Sequence, residues 1–256
     1  MRIGFNLILI FYIRGIMNIL KIGKNHIETG MNCQDAIGRY GEELKVVCDG
    51  CSEGKHSEIG AQLFAKRFVE KYKYFREREK NVVLFGSFGV DDSYKIGTLI
   101  QSTMDDIVSF VGDDKDSVLD YLSFTTIIAH GNKRIMSVGD GYVIEIDRAR
   151  SKVRFVKLDC GDYPEYLSYN YLNPDLLKKY KYGVELSRRI FNPTIENIDH
   201  ELGVASDGIR FVADLPKDNP LRQEFVDIIL SDRDIRMKRF INKHPEIFKD
   251  DVSIVI

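Results

Sequence analysis

Apolar and polar positions change their period several times along the chain. Met17 to Glu28, MNILKIGKNHIE, alternates weakly, and a period of two predicts a strand. TGMNCQDAIGRYGEE follows, broken by Gly30, Gly38 and Gly41, and reads as a loop. LKVVCDG is a short apolar strand that stops on Asp49-Gly50. From Ser57, apolar residues at Ile59, Leu63, Phe64, Phe68 and Tyr72 keep helical spacing, with Ser57 as candidate N-cap and Glu58 in the first turn. A second helix is predicted from about Asp92 to Phe110, with Ile96, Leu99, Ile100, Met104, Ile107 and Val108 as its core-facing stripe.

The pattern then switches to β-branched runs. YLSFTTIIAH and RIMSV flank the turn signal His130-Gly131-Asn132-Lys133, and a further strand follows Gly141. The spacing predicts an antiparallel meander. Residues 160–197 are rich in Tyr, Asn and Lys without a clear period, which predicts an insertion or flap carrying one short helix. HELGVASDGIRFV is another strand ending in Asp-Gly, two helical segments occupy about 219–230 and 233–243, and FKDDVSIVI closes the sequence as a strand beginning on two acids. Meanders with helices grouped in pairs argue against βαβ alternation and for an α+β fold of packed sheets with helices outside.

Composition changes this picture little. The 256 residues suit one well-buried domain. A net charge of −2 removes bulk electrostatic nucleic-acid binding, leaving only a local basic patch to serve that purpose. The four cysteines are Cys33, Cys48, Cys51 and Cys160; the pair Cys48-x-x-Cys51 lacks the second pair that a structural zinc site needs. Nothing calls for an oxidising compartment, so the cytoplasm is expected. Ile3 to Ile13, IGFNLILIFYI, is strongly apolar between Arg2 and Arg14, but a spanning helix needs about 20 residues. It lacks a small-residue cleavage site. Residues 1–16 are therefore expected outside the fold, and a membrane role is not expected.

The chemistry lies in acids at strand ends. Asp49 ends VVCDG, Asp207 ends VASDG, and Asp250 with Asp251 opens the last strand. Asp140 in SVGDG and Asp35 in NCQDA stand at two further junctions. Asp-Gly is a common turn signal by itself. These acids, however, border apolar runs that should be core, and carboxylates gathered at a dry rim repel each other until a cation joins them. Oxygen ligation selects magnesium or manganese over zinc. A glycine behind the acid lets a backbone carbonyl turn in. Two ions about 3.5–4 Å apart can acidify a water between them and hold a phosphate for in-line attack.

In this order, NCQDA, VVCDGCSEGKHSEIGA, FTTIIAH, SVGDG, ASDG and DDVSIVI resemble the metal-dependent serine/threonine phosphatases of the protein phosphatase 2C family, and most closely its divergent bacterial branch. The likeness covers about residues 18–256. It implies a four-layer αββα sandwich, two antiparallel sheets flanked by helix pairs, with residues 160–200 as a flap. It implies that Asp49 bridges two divalent cations, Mn or Mg, and that the Gly50 carbonyl binds one of them. Asp207 and Asp250 would complete the ligand set of the second ion, with Asp251 where the family usually has Asn. Asp35 would hold a metal-bound water, Asp140 with Asp207 would offer a third ion a place, and Thr125 and Thr126 would be structural. The implied partner is a phosphorylated protein, opposing a Ser/Thr kinase.

The chain also departs from that pattern. Asp-Gly-His-Gly-Gly reads Asp49-Gly50-Cys51-Ser52-Glu53, so Cys51 stands for the His credited as general acid, and His56 or Lys55 is the candidate substitute. The phosphate-binding Arg five residues before the loop acid is Gly30, with His26 or Lys24 as candidate replacements on a strand read as solvent-exposed. Gln34 replaces a common Glu. The leading expectation is a metal-dependent phosphoserine/phosphothreonine phosphatase. A catalytically weak phosphoprotein-binding or regulatory module, and a phosphohydrolase for small esters, stand as alternatives.

Overall fold

The computed structural model describes residues 16–82, 92–131, 134–158, 165–172, 190–191, 200–231 and 234–256. The apolar stretch before residue 16, Cys160 and most of the expected flap lie outside the described residues. In chain order the strands are β1 (Asn18–Lys21), β2 (Ala36–Tyr40), β3 (Leu44–Gly50), β4 (Phe124–His130), β5 (Arg134–Val138), β6 (Gly141–Asp147), β7 (Lys152–Leu158), β8 (Ile190–Phe191), β9 (His200–Ala205) and β10 (Val252–Val255). The helices are α1 (Lys24–Thr29), α2 (Ser57–Val82), α3 (Asp92–Val111), α4 (Lys115–Leu122), α5 (Arg210–Ala213), α6 (Pro220–Leu230) and α7 (Asp234–Lys243).

The strands form two antiparallel sheets, ordered β1-β10-β9-β6-β7 and β2-β3-β4-β5-β8. Period-two alternation gives each sheet two apolar faces, and each face has its own cover. Val47, Ile127, Ala129 and Ile135 of one sheet meet Val143, Leu202, Val204 and Val255 of the other. Outside the β2-β3-β4-β5-β8 sheet, Val46, Cys48 and Ile128 pack on Phe64 and Phe68 of α2 and on Ile100 and Met104 of α3. Outside the β1-β10-β9-β6-β7 sheet, Ile19, Ile144 and Ile254 pack on Phe225, Ile229, Met237 and Phe240 of α6 and α7. This is the expected four-layer αββα sandwich. Among the described residues no helix is long and apolar enough to cross a membrane.

Four local expectations change. The end of MNILKIGKNHIE turns into helix α1 instead of continuing as strand, because Asp251 Oδ1 accepts from the Gly23 amide at 2.7 Å, just before the helix. The loop reading of 29–43 gives way to β2, which pairs with β3 from Ala36↔Cys48 to Tyr40↔Leu44. The meander is two hairpins in different sheets: β4 pairs with β5, β6 pairs with β7, and the chain changes sheet at Gly139-Asp140-Gly141. Gly141 sits at φ +131°, and a Cβ there would lie 2.4 Å from Ile127 Cδ1, so this crossing needs glycine. Helix α4 is additional; Asp114 caps it, its Oδ1 accepting from the Asp116 and Ser117 amides at 3.1 and 3.0 Å.

Candidate metal centre

β3 carries Asp49 to the rim between the sheets. Lys45, Val47 and Asp49 share the inward face, and Val47 belongs to the inter-sheet core. Gly50 is required by space: a Cβ there would stand 2.8 Å from Ser57 Oγ and 2.9 Å from the Gln34 carbonyl oxygen. That close approach ties the Asp49 strand end to the Asp35 loop, and the Gly50 amide donates to the Gln34 carbonyl at 3.2 Å. Gly208 does the same for the other sheet, since its Cβ would fall 1.8 Å from the Asp251 carbonyl oxygen. Asp207, just after β9, thus lies against the segment just before β10 that carries Asp250 and Asp251. The glycines behind the acids therefore let separate strand ends meet.

Electrostatics shows that the acids share one field. Burial, then Asp35, Asp207 and Asp250, push the Asp49 carboxyl well above the usual carboxylate range. Burial, then Asp140 and Asp250, raise Asp207 to about 6, against the pull of Arg210. Burial raises Asp35 to about 7, with Asp251 adding to the effect and Ser206, Ser253 and Asp49 opposing it. Asp35 is 1% exposed, and neither of its carboxylate oxygens has a hydrogen-bond partner at good geometry. Such a group is costly to bury unless something positive or protic joins it. The fold thus sets Asp35, Asp49, Asp140, Asp207 and Asp250, five of the six acids singled out from sequence, in one electrostatic neighbourhood.

The donor set fits hard divalent cations: it is made of carboxylates, Arg210 beside Asp207 offsets its charge only in part, and both buried oxygens of Asp35 are unpartnered. Among the described residues no three His, Cys, Asp or Glu side chains already close on a single point. Asp250 is exposed, so it has room to move towards an ion. Asp251 is committed elsewhere. It is 2% exposed, its Oδ1 accepts from the Gly23 amide at 2.7 Å, and its Oδ2 accepts from the Gln34 amide at 2.5 Å. Gln34, in the place of a common Glu, also donates from Nε2 to the Cys51 carbonyl at 3.4 Å and to Ser57 Oγ at 3.3 Å. Ser57 is the first residue of α2; instead of capping the helix, its hydroxyl donates to the Cys51 carbonyl at 2.8 Å.

The other candidates separate. His26 is not an exposed strand residue. It is 8% exposed on α1, with Nδ1 2.9 Å from Asp251 Oδ2 and Nε2 3.9 Å from Asp250 Oδ1. Lys24 faces outward and pairs with Glu28 at 3.6 Å. His56 is exposed and lies on the Tyr121 ring, 5.0 Å between centroids, while Lys55 Nζ pairs with Asp120 at 2.8 Å. Thr125 stands opposite Asp49 across the β3–β4 ladder, and Thr126 Oγ1 lies 3.7 Å from Cys48 Sγ.

Two neighbours of the site escaped sequence reasoning. Arg210 Nη1 lies 3.7 Å from Asp207 Oδ2, its side chain is half exposed, and its guanidinium stacks 4.8 Å from the Phe211 ring centroid. Its place three residues after Asp207, across one short helical turn, was the available signal. Tyr166 is buried, and desolvation, then Cys51, push its phenol well up, so it stays protonated beside the cysteine.

The comparisons with known proteins agree with this architecture. A solved PPM Ser-Thr phosphatase, MsPP from Mycobacterium smegmatis in complex with cacodylate, is similar at TM-score 0.57 and 13% identity, over 94% of this chain and 96% of that one. Serine/threonine phosphatase Stp1 from Staphylococcus aureus is similar at TM-score 0.52 and 14% identity, over 94% and 92%. The catalytic domain of serine threonine protein phosphatase PstP, in complex with two manganese ions, is similar at TM-score 0.50 and 15% identity, over 94% and 95%. No curated protein matches the sequence. At these identities the likeness fixes the fold. The family model for protein phosphatase 2C matches residues 22–239, most of the sequence, and the chain belongs to that family.

Proposed function

We propose that the protein is a metal-dependent phosphoprotein phosphatase acting on phosphoserine or phosphothreonine. The observation that carries this reading is the set of buried acids Asp35, Asp49 and Asp207, raised by burial and by neighbouring carboxylates, with Asp140 and Asp250 in the same field. Two Mn or Mg ions, with a weaker third beside Asp140 and Asp207, would supply the charge that activates water and holds a phosphate there. Asp49, the Gly50 carbonyl, Asp207 and Asp250 would hold the ions. Asp35, buried with free acceptor oxygens, would orient and deprotonate the attacking water. Arg210 takes the phosphate-binding role that Gly30 leaves vacant, because its half-exposed guanidinium already stands beside Asp207. Proton delivery to the leaving oxygen falls to His56, on the loop that follows Cys51. A cytoplasmic phosphoprotein, modified by a Ser/Thr kinase that this protein opposes, is the substrate.

A second reading, a phosphoprotein-binding module with little turnover, is supported by Cys51 and Gly30 in place of the family's His and Arg. Hydrolysis of a phosphothreonine peptide and of a small aryl phosphate with Mn2+, with and without chelator, separates the readings. Chelator-sensitive peptide turnover is expected. Turnover confined to the aryl ester would favour a small-ester hydrolase, and Mn2+ binding without turnover would favour the binding module.

A further inference from the structure

The helices on the two outer faces of the sandwich carry their charges differently. On α2, surface cations are matched: Arg67 pairs with Glu70 at 3.2 Å, Lys71 with Asp106 of α3 at 2.8 Å, and Lys73 with Glu77 at 3.9 Å. On α7 they are not. Met237, Phe240 and Ile241 are buried against the sheet, and the helical period turns Ile235, Lys238, Arg239, Asn242 and Lys243 outward, with Arg236 at the margin. Among the described residues Arg236, Lys238, Arg239 and Lys243 form no ion pair. The acids nearest in sequence, Asp234 and Glu246, stand at the start of the helix and beyond its end, and Glu246 lies 3.5 Å from His244. Ile235, 66% exposed, sits in the middle of this basic face. In a chain of net charge −2, four unmatched cations around one exposed isoleucine make a local field of a single sign.

α7 also stands where the apolar N-terminal stretch meets the fold. Met17 and Ile19, at the start of the edge strand β1, pack in one cluster with Met237, Phe240 and Ile241, and Ile16 is exposed. Ile3 to Ile13 is separated from Ile16 only by Arg14 and Gly15, and a chain of that length can extend over about 35 Å, so it reaches any surface that α7 touches. Alone, this stretch is too short to span a bilayer. A single weak apolar attachment is reversible, and stable membrane binding takes an apolar element together with a basic patch. We propose that α7 and residues 3–13 together hold the protein to an anionic lipid surface. The four cations meet the headgroups, Ile235 enters between them, and the apolar stretch supplies the contact with hydrocarbon. A nucleic acid is the poorer occupant, because Ile235 would face phosphates and the exposed side of α7 carries no aromatic ring on which bases could stack. The surface uses none of the candidate metal ligands, so the proposal does not depend on the phosphatase reading.

The test is flotation of the full chain with vesicles of phosphatidylcholine alone and of phosphatidylcholine mixed with phosphatidylserine. The wild type is expected to float with the mixed vesicles, to stay behind with phosphatidylcholine alone, and to be released as salt is raised. Lys238→Gln/Arg239→Gln/Lys243→Gln should weaken binding to the mixed vesicles by about a hundredfold, at about fivefold for each cation. Ile8→Asp/Ile10→Asp, which removes the apolar element and leaves α7 intact, should weaken it by at least about tenfold. Both variants should keep the wild-type melting temperature, so that lost binding is not lost folding. A wild type that binds neither vesicle or both equally, or full binding by either variant, overturns the proposal. So does binding to duplex DNA that needs the α7 cations while the vesicles stay bare.

Discussion

Lys45 and Asp49 lie four residues apart on one face of β3, and their charges have opposite fates. Lys45 is 1% exposed, and burial lowers its pKa, with Glu201 and Glu42 pulling back. Its ammonium donates to the Leu202 carbonyl of the facing sheet at 2.6 Å and stands 3.7 Å from Glu42. Glu201 is in turn held by Arg148 at 2.8 Å. That end of the sandwich is a closed network of opposite charges. At the other end Asp49 has carboxylates for neighbours, and every charged group that shifts it pushes the same way. A buried charge with partners is a fastening between sheets, whereas a buried charge among like charges is a site waiting for a cation.

Substitutions at the two ends should therefore have opposite consequences. Asp49→Asn and Asp207→Asn should each lower Mn2+-dependent turnover by about a hundredfold or more while leaving the metal-free protein folded and slightly more heat-stable, because repulsion is relieved. Steady-state kinetics and thermal melting check this, and a variant with near wild-type rates would remove that residue from the metal set. Lys45→Ala should cost about 3–5 kcal/mol, seen as a lowered urea midpoint, without changing Mn2+ affinity. Gly208→Ala joins the two effects. Its Cβ would collide with the Asp251 carbonyl oxygen, so it should lose about 3 kcal/mol and weaken Mn2+ binding as β9 and β10 separate.

Smaller effects sharpen the contrast. Mn2+ at 100 times its dissociation constant should add about 2.7 kcal/mol, or about 5–10 °C in Tm, and the Asp49→Asn variant should lose that gain. The pH dependence has a definite sign. Asp35 and Asp207 are raised from 3.8 to about 7 and about 6, so the metal-free folded state binds more protons than the unfolded chain between about pH 4 and 7. Their contribution to stability is full below pH 4 and is lost as pH rises through 6 to 7. Metal binding needs the deprotonated acids, so Mn2+ stabilisation should grow over the same interval. Melting curves with and without Mn2+ from pH 5 to 8 should diverge upward; parallel curves would contradict the shared site.

Asp49, Asp140 and Asp207 were legible because each precedes Gly at the edge of an apolar run, a local signal; Asp250 was legible before an apolar run, and Asp35 only through the loop ahead of the first Asp-Gly strand. The long helices were legible for the same reason: Phe64, Phe68 and Tyr72 on α2, and Ile100, Met104 and Ile107 on α3, are buried as their spacing requires. What escaped was non-local. α1 starts beside an amide held by a carboxylate 228 positions away in the chain, which no window around His26 contains. β2 is strand only because β3 lies beside it, despite Gly38 and its loop-like surroundings. The change of sheet at Gly139-Asp140-Gly141 looks in sequence like any hairpin. Arg210 gave only a weak signal, since an arginine after a turn is usually solvated.

The central claim, that acids distant in sequence form one cation site, is tested most directly by calorimetric titration of the metal-free protein with Mn2+. The account predicts two ions per chain for the wild type and loss of at least one in Asp207→Asn. A wild-type protein that takes up no Mn2+, or an Asp207→Asn protein that binds it unchanged, would contradict it.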